Sequence, residues 1–369
     1  MDNGIGMSAP QETSLTSVSL TQIKISVLSG LASDRTRWDR FVTNHIDGTV
    51  FHLSQWQETI ANGFGHEACH LIAEDAHTSE ILAILPLFLV RSLIFGRSLV
   101  STPQAAYGGI LASCAISSYA ILEKAKTLAA RKKVRFAELR NFQPDQAEPS
   151  LLTKDLYVTF QQELFADPEK NLAAIPRKTR AEVREGIRNQ LEFRVDAITV
   201  KEFYNIYSAS VRQLGTPVFP LRLFSMGMER FGKDCRIFSV HYNGKPAAAV
   251  WTLLYKDQVL PYYGGSLREF NRLAVNNFMY WKLMEWGSAN GYHRFDFGRS
   301  KKGTGSFDFK KRWGMSMTDL PYQYFLLNSS AMPDTSPLNP KFSLAIKAWQ
   351  RLPLNLTQWI GPMISKHLT

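Results

Sequence analysis

The chain has 369 residues, 45% of them hydrophobic and 12% aromatic. That excludes a disordered polypeptide and is too long for one small domain, so two are expected. Its 43 Lys+Arg against 32 Asp+Glu give a net charge of +11, which favours anionic partners such as nucleic acid, phosphorylated substrates or an acidic membrane surface. Cys69, Cys114 and Cys235 are few, odd in number and far apart, which argues against a disulfide framework or a cysteine-based metal site and for a reducing cytoplasm.

Residues 1–20 read as a flexible tail, rich in Ser, Thr, Gly and Gln and without the basic start and apolar core of a signal peptide. HEACH, His66 to His70, matches the H-E-x-x-H zinc pattern, but that chemistry needs a helix to bring both histidines to one metal. Gly63 and Gly65 before it and LIAE after it predict a turn entering a strand, where residues four apart are ~13 Å from each other. No metal is expected. ILAILPLFLVRSLIF, Ile81 to Phe95, is shorter than the ~20 residues of a membrane span and contains Pro86 and Arg91. It is read as two buried strands joined around Arg91 to Gly96.

An order of elements then recurs. Strand-like ILAILPLFLV, a second apolar stretch, Tyr107-Gly108-Gly109, helical SSYAILEKAKTLAARKK and strand-like VRFAELRNF are echoed by AAAVWTLLY, QVLPYYGG ending in Tyr263-Gly264-Gly265, AVNNFMYWKLMEWGSANG and YHRFDFG. Asn243-Gly244 predicts a tight hairpin ahead of the second copy, because both residues tolerate positive φ. Each half reads as an α+β module, an antiparallel meander leading into a β-α-β unit. Both Tyr-Gly-Gly segments are read as turns, either purely structural or, the reading preferred, with glycines that let a substrate approach the backbone beside Tyr107 and Tyr263. Trp281, Met284 and Trp286 lie on a helix that must pack on a sheet and are assigned to the core.

Between the halves, RKTRAEVREGIRNQLEF predicts a helix begun by Pro176, with Thr179, Val183, Ile187 and Leu191 packing while Arg180, Arg184 and Arg188 form an adjacent basic face. Glu182 and Glu185 offset part of that charge. Its early cations and its N-terminus suit a phosphate or carboxylate.

The stretch FDFGRSKKGTGSFDFKKRWG, Phe295 to Gly314, completes neither phosphate-loop pattern. Thr304 stands where a P-loop needs lysine, and Asp308 occupies the third glycine of a dinucleotide loop. It is read as an edge strand, a basic turn and a return strand carrying Phe309 and Lys310. After Leu327, NSSAMPDTSPLNP is a linker, and an amphipathic tail follows. That tail interleaves Phe342, Ile346, Trp349, Leu352, Trp359 and Ile360 with Lys341, Lys347, Arg351 and Lys366, and Pro353 and Pro362 break it. Packing on the body and shallow membrane contact are both open to it, the former preferred.

RKTRAEVREGIRNQLEF, LPYYGGS and above all FDFGRSKKGTGSFDFKKRWG resemble the FemAB-related proteins, in particular a branch associated with exosortase and PEP-CTERM exopolysaccharide systems. The resemblance runs from about Ile23 to Leu327. It implies two tandem modules of the GCN5-related N-acetyltransferase (GNAT) fold, each a mixed, largely antiparallel sheet flanked by helices. The expected divisions are a tail 1–20, a first module 21–165, a second module 166–330 with its basic helix 176–191, and a C-terminal linker and tail 331–369.

The resemblance also implies acyl transfer, from aminoacyl-tRNA to an amine of a peptidoglycan-type precursor or other cell-envelope glycan. It places Phe309 and Lys310 at the reaction centre and Arg180 and Arg184 on acceptor phosphates. An aminoacyl ester is already activated, so positioning and a cation beside the carbonyl suffice, and Lys310 suits that role. Asp308 is the candidate base, with Asp296 or the substrate itself as alternatives. Arg299 and Lys302, flanking the basic turn, join the substrate-binding candidates. The Q/R-x-x-G-x-G/A loop that holds acetyl-CoA is missing before either central helix, so tRNA is the expected co-substrate and acyl-CoA a lesser one. Competing readings are a CoA-dependent N-acyltransferase of an exopolysaccharide sugar and a non-catalytic basic scaffold or RNA-binding protein. The location implied is the cytoplasm, peripheral at the inner membrane.

Overall fold

A computed structural model of the chain describes residues 20–92, 96–143, 146–327, 332 and 343–368. The expected tail 1–19, the junction 93–95 and most of the linker, with Lys341 and Phe342, lie outside the described residues. The first half runs β1 (Ile23–Val27), α1 (Ala32–Asn44), α2 (Ser54–Phe64), β2 (Glu67–Ala68), β3 (Leu71–Asp75), β4 (Ile81–Leu85), β5 (Phe88–Ser92), β6 (Gly96–Val100), β7 (Leu111–Ala112), α3 (Ala115–Arg131), β8 (Phe136–Arg140) and β9 (Leu152–Glu163). The second runs α4 (Pro168–Ala174), α5 (Arg177–Arg188), β10 (Glu192–Val195), α6 (Val200–Gln213), α7 (Leu221–Phe231), β11 (Cys235–Tyr242), β12 (Lys245–Tyr255), β13 (Gln258–Ser266), α8 (Val275–Ala289), β14 (Arg294–Asp296), β15 (Ser300–Lys301), α9 (Gly305–Lys311) and β16 (Ser316–Leu326). Two helices follow, α10 (Ser343–Arg351) and α11 (Leu354–Ser365).

The recurring order corresponds to a recurring crossover. β6 and β8 are parallel and joined through α3; β13 and β14 are parallel and joined through α8. Most other pairs are antiparallel. The hairpin β11–β12 turns at Asn243 (φ 50°) and Gly244 (φ 76°), as two-residue loops of this composition do. A four-stranded sheet, β1-β3-β4-β7, stands beside a long one ordered β10-β11-β12-β13-β14-β9-β16-β8-β6-β5-β2, with β15 on β9.

That long sheet does not part where the chain does. β9, from the first half, lies between β14 and β16, while β16, from the second half, lies between β9 and β8. Each half thus lends its last long strand to the other.

Three local expectations are corrected. The apolar run from Ile81 has a further break at Pro86, which has no N–H for a ladder, so β4 joins the small sheet and β5 the long one, while the expected join around Arg91 to Gly96 is kept as the antiparallel pair β5–β6. The second Tyr-Gly-Gly is not a turn but part of β13, with Tyr263 opposite Trp251. In α5 the buried line is Thr179, Val183 and Gly186, and Ile187 is half exposed. Gly186 takes the packing position because α8 comes so close: a Cβ there would lie 2.6 Å from the Phe278 Cβ. Of the three residues assigned to the core, Trp281 and Met284 are buried, and Trp286 is half-buried with its edge on Phe238 at 4.8 Å.

Gly186→Ala gains helix propensity yet forces α5 and α8 apart. We expect a net loss of roughly 1–3 kcal/mol, read as a lower midpoint in urea unfolding with an unchanged m-value.

Candidate active site

β13 and β14 are paired only through Gln258↔Arg294 and Val259↔Phe295. Beyond that point β13 continues along β12 to Ser266, while the chain after Asp296 follows β9, with the Phe297 amide on the Phe160 carbonyl at 2.9 Å. Two parallel strands thus diverge in front of the N-terminus of α8. The side chains around this split are Tyr262, Tyr280, Phe297 and, from α9, Phe309 and Lys310, with Tyr280 and Phe297 rings 4.9 Å apart and Tyr280 and Phe309 rings 5.7 Å apart.

The segment carrying Lys310 is a helix rather than the expected return strand. Thr304 caps it, its hydroxyl accepting the Phe307 amide at 3.4 Å, and Lys310 and Lys311 in the last turn oppose the helix dipole. Phe295 likewise lies on an internal strand, not an edge one. The helix swings Lys310 back over the strand end, where its Nζ donates to the carbonyls of Phe297 (2.5 Å), Gly298 (3.2 Å) and Arg299 (3.3 Å). Burial lowers its pKa from 10.5 to about 8; Asp296 opposes the shift and Arg299 adds to it.

Beneath it lies a polar knot drawn from both halves. Asp296, 1% exposed, accepts from Tyr107 Oη (2.8 Å), Thr159 Oγ1 (3.0 Å), Gln161 Nε2 (2.8 Å) and the Gly298 amide (2.6 Å). With four donors on its two oxygens, Asp296 is an organiser rather than a free base. Tyr107 is therefore buried in this knot and does not line an opening. Burial first, then the Asp296 charge, push its phenol well above its ordinary pKa. Gly108 (φ 139°) and Gly109 serve a tight passage, since a Cβ would lie 2.3 Å from Thr102 Oγ1 or 2.1 Å from Asn141 Oδ1.

Arg299, half-buried, is held by aromatic rings rather than by a carboxylate. Its guanidinium stacks on Tyr157 at 4.7 Å and stands 5.6 Å from the Tyr322 ring, with one long bond to Tyr322 Oη at 3.4 Å. Among the described residues no carboxylate pairs with it, while nearby Glu138 is taken by Arg140 at 2.7 Å and by Tyr324 Oη at 2.9 Å.

The other candidates fall elsewhere. Lys302 is spent on Asp155 and Asp319, tying the basic turn to β9 and β16. Asp308 is exposed on α9. Tyr263 is half-buried, and it and Tyr262 both donate to the Gln104 carbonyl, at 3.1 and 2.7 Å. Arg184 is exposed, and Arg180 makes only a 3.4 Å bond to the Ala173 carbonyl. The face of α5 that meets Phe309 is a different one. Lys178, Thr179 and Glu182 line a cavity of about 140 Å³ with Asn277, Phe309, Arg312 and Trp313. Lys178 and Arg312 were not among the site residues expected from the sequence, and the one-turn spacing of Lys178 and Glu182 beside buried Thr179 was the signal that places those two on this face.

HEACH is extended, as the glycines implied. His70 Nδ1 accepts the Leu87 amide at 3.1 Å, His66 stacks on Phe64, and burial lowers both imidazoles to about 4. Among the described residues no group of three or more His, Cys, Asp or Glu is placed to hold a metal ion.

Comparison with known proteins agrees with this architecture. Residues 175–311 match the family model described as an acetyltransferase (GNAT) domain. A FemX crystal structure is similar over 85% of this chain and 98% of its own, with a TM-score of 0.61 and 14% identity. The C-terminal domain of a putative lysylphosphatidylglycerol synthetase from Agrobacterium fabrum is similar over 86% and 95%, with a TM-score of 0.53 and 13% identity. A tandem GNAT protein from the clavulanic acid biosynthesis pathway is similar over 84% and 100%, with a TM-score of 0.52 and 11% identity. No curated protein sequence matches the chain. The fold is a tandem GNAT fold, and the acetyltransferase (GNAT) domain at residues 175–311 supports a transferase.

Tyr107→Phe removes a donor from Asp296 without altering shape. We expect a stability loss of about 1–3 kcal/mol by chemical denaturation, against less than about 0.5 kcal/mol for Asp308→Asn at its exposed position.

Proposed function

We propose that the protein forms an amide by passing an activated acyl or aminoacyl group to an amine of a cell-envelope precursor, at the split between β13 and β14. The observation that carries this reading is the placement of the Lys310 ammonium against the strand-end carbonyls at that split, among them the carbonyl of Arg299, whose side chain has no carboxylate partner among the described residues. The acceptor nitrogen attacks the acyl carbonyl, the C–N bond forms, and the ester C–O bond breaks. The amine's proton leaves with the departing oxygen. A cation at the split stabilises the oxyanion, and the two longer Lys310 bonds, 3.2 and 3.3 Å, are weak enough to yield a donor to it.

Neither Asp308, exposed, nor Asp296, saturated, is well placed as the base. The reading therefore assigns proton transfer to the substrate's own groups. Arg299 is the receptor for an acceptor carboxylate or phosphate, and Lys178 and Arg312 hold a second anionic group beside Phe309. Arg180 and Arg184 remain candidates for more distant phosphates.

An aminoacyl ester of tRNA is the donor we favour over acyl-CoA. The segment before α8, Arg268–Leu273, is a short 3₁₀ turn without glycine, followed by Ala274 in the left-handed region at φ 57°. Pyrophosphate binding at a helix N-terminus is helped by glycines that let the backbone approach closely, and none is present there. The exopolysaccharide and protein-sorting setting is part of the proposal and rests on motif resemblance.

Purified protein incubated with charged tRNA, with acyl-CoA and with neither tests this by melting shift and by mass change of an amine acceptor. Stabilisation by acyl-CoA alone would overturn the choice of donor. Lys310→Ala should lower turnover by about 10²–10³, the usual range for removal of an oxyanion donor. Leaving the Phe297 carbonyl without a partner should also cost about 1–3 kcal/mol of stability.

The pH dependence has a definite sign. A cationic Lys310 acts below its pKa, so turnover should be full below about 8 and fall above it, with no such fall in Lys310→Arg. A rise through the same pH would make it a base instead. Because its pKa is lower folded than unfolded, its burial penalty is present below about 8 and is relieved between there and 10.5, so its contribution to stability improves over that window.

A further inference from the structure

The last two helices bury one face and leave the other to solvent. α11 packs Thr357, Gly361 and Ser365 on the body, and a Cβ at Gly361 would lie 2.7 Å from Val218 Cγ1 and 2.9 Å from its amide nitrogen. α10 buries Trp349, whose Nε1 donates to the Thr216 carbonyl at 3.2 Å. Arg212 Nη1 to the Leu352 carbonyl (2.8 Å) and Gln358 Nε2 to Asn205 Oδ1 (3.1 Å) fasten the pair to α6.

The opposite faces are unusual for surface helices. Trp359 and Met363 sit two residues beyond buried ones, about 200° round the helix, and are 65% and 50% exposed; Leu344 is 79% exposed. Exposed Lys347 and Arg351 on α10 and exposed Lys366 at the end of α11 accompany them. From 335 to 369 the sequence contains no Asp or Glu. Glu67, near the tail's end, is already paired with Arg91 and Lys132.

A nucleic-acid surface would use the cations but has no need of Leu344 and Met363. A lipid interface uses both: basic groups at anionic headgroups, Trp at the boundary, and Leu and Met below it. No helix among the described residues is long and apolar enough to cross a membrane, so contact would be from one side.

We propose that the outward face of α10 and α11 docks on an anionic lipid surface and brings the β13 side of the split towards it. The link to β13 is Gln104. Its Nε2 donates to the Leu368 carbonyl at the end of the tail, while its own carbonyl receives both Tyr262 and Tyr263. His367 Nδ1 adds a contact to the Arg91 carbonyl at 2.9 Å. A docked tail thus holds the substrate side of β13 beside the bilayer. The docking goes beyond the proposed chemistry and is independent of it, while naming that side of β13 the substrate side rests on that reading.

The test is co-sedimentation of the full chain with vesicles of phosphatidylcholine alone and of phosphatidylcholine mixed equally with phosphatidylglycerol. Binding is expected only to the mixed vesicles, weakening with added salt. The variant Lys347→Ser/Arg351→Ser/Lys366→Ser should bind on the order of a hundredfold more weakly. Trp359→Ala/Met363→Ala should also bind more weakly, and both variants should keep the parent melting temperature because the altered side chains are exposed. Absence of binding, equal binding to neutral vesicles, or unchanged affinity in either variant overturns the proposal. So does binding of tRNA instead of vesicles, lost in the triple variant and retained in Trp359→Ala/Met363→Ala. None of these readouts involves turnover, so the acyl-transfer reading stands or falls separately.

Discussion

The candidate site depends on one buried carboxylate. Asp296 ends the strand after the second central helix, and its donors come from the first Tyr-Gly-Gly segment, from β9 and from the turn that follows it. A buried charge is tolerable only when its lone pairs are filled, so this arrangement compels Tyr107, β9 and Gly298 to meet at one point. The Gly298 amide bond fixes the direction in which the chain leaves β14, at φ 64°. That direction presents the three carbonyls which Lys310 caps. Lysine and carboxylate therefore act as two sides of one turn.

The exchange of β9 and β16 explains how such a knot can form between halves that are separate in sequence. With β9 on β14, Thr159 and Gln161 of the first half are brought under the strand end of the second. With β16 on β8, Tyr322 and Tyr324 reach the Glu138–Arg140 pair, and Tyr322 joins Tyr157 around the Arg299 guanidinium. Motion of one module against the other would have to break a continuous ladder of backbone hydrogen bonds. The cleft is accordingly stiff, as a site that works by positioning requires.

Much of this was legible in the residues. The two β-α-β crossovers, the Asn243-Gly244 hairpin and the extended HEACH segment follow from local chemistry that tertiary contacts did not override. The errors have physical reasons. FDFKKRWG alternates like a strand, yet Thr304 is a helix cap and the seven residues after it are too few for a helical period to declare itself. For Arg180 and Arg184 the residues alone do not say which face of α5 meets a neighbour, because that is set by α8 and α9. Tyr107 was rightly set apart and wrongly imagined as exposed, since its partner Asp296 lies on the other half of the chain. No reading of one half alone can reveal an exchanged strand.

That exchange also constrains how the protein is made. β16 covers one edge of β8 and one edge of β9, and β14 and β15 cover the other edge of β9, so strands Phe136–Arg140 and Leu152–Glu163 must wait for the chain to extend through Leu326 before both are fully paired. During synthesis the first module is therefore an open sheet with a free edge, vulnerable to pairing with the wrong strand. Completion comes late, from a strand that arrives last and closes both modules at once.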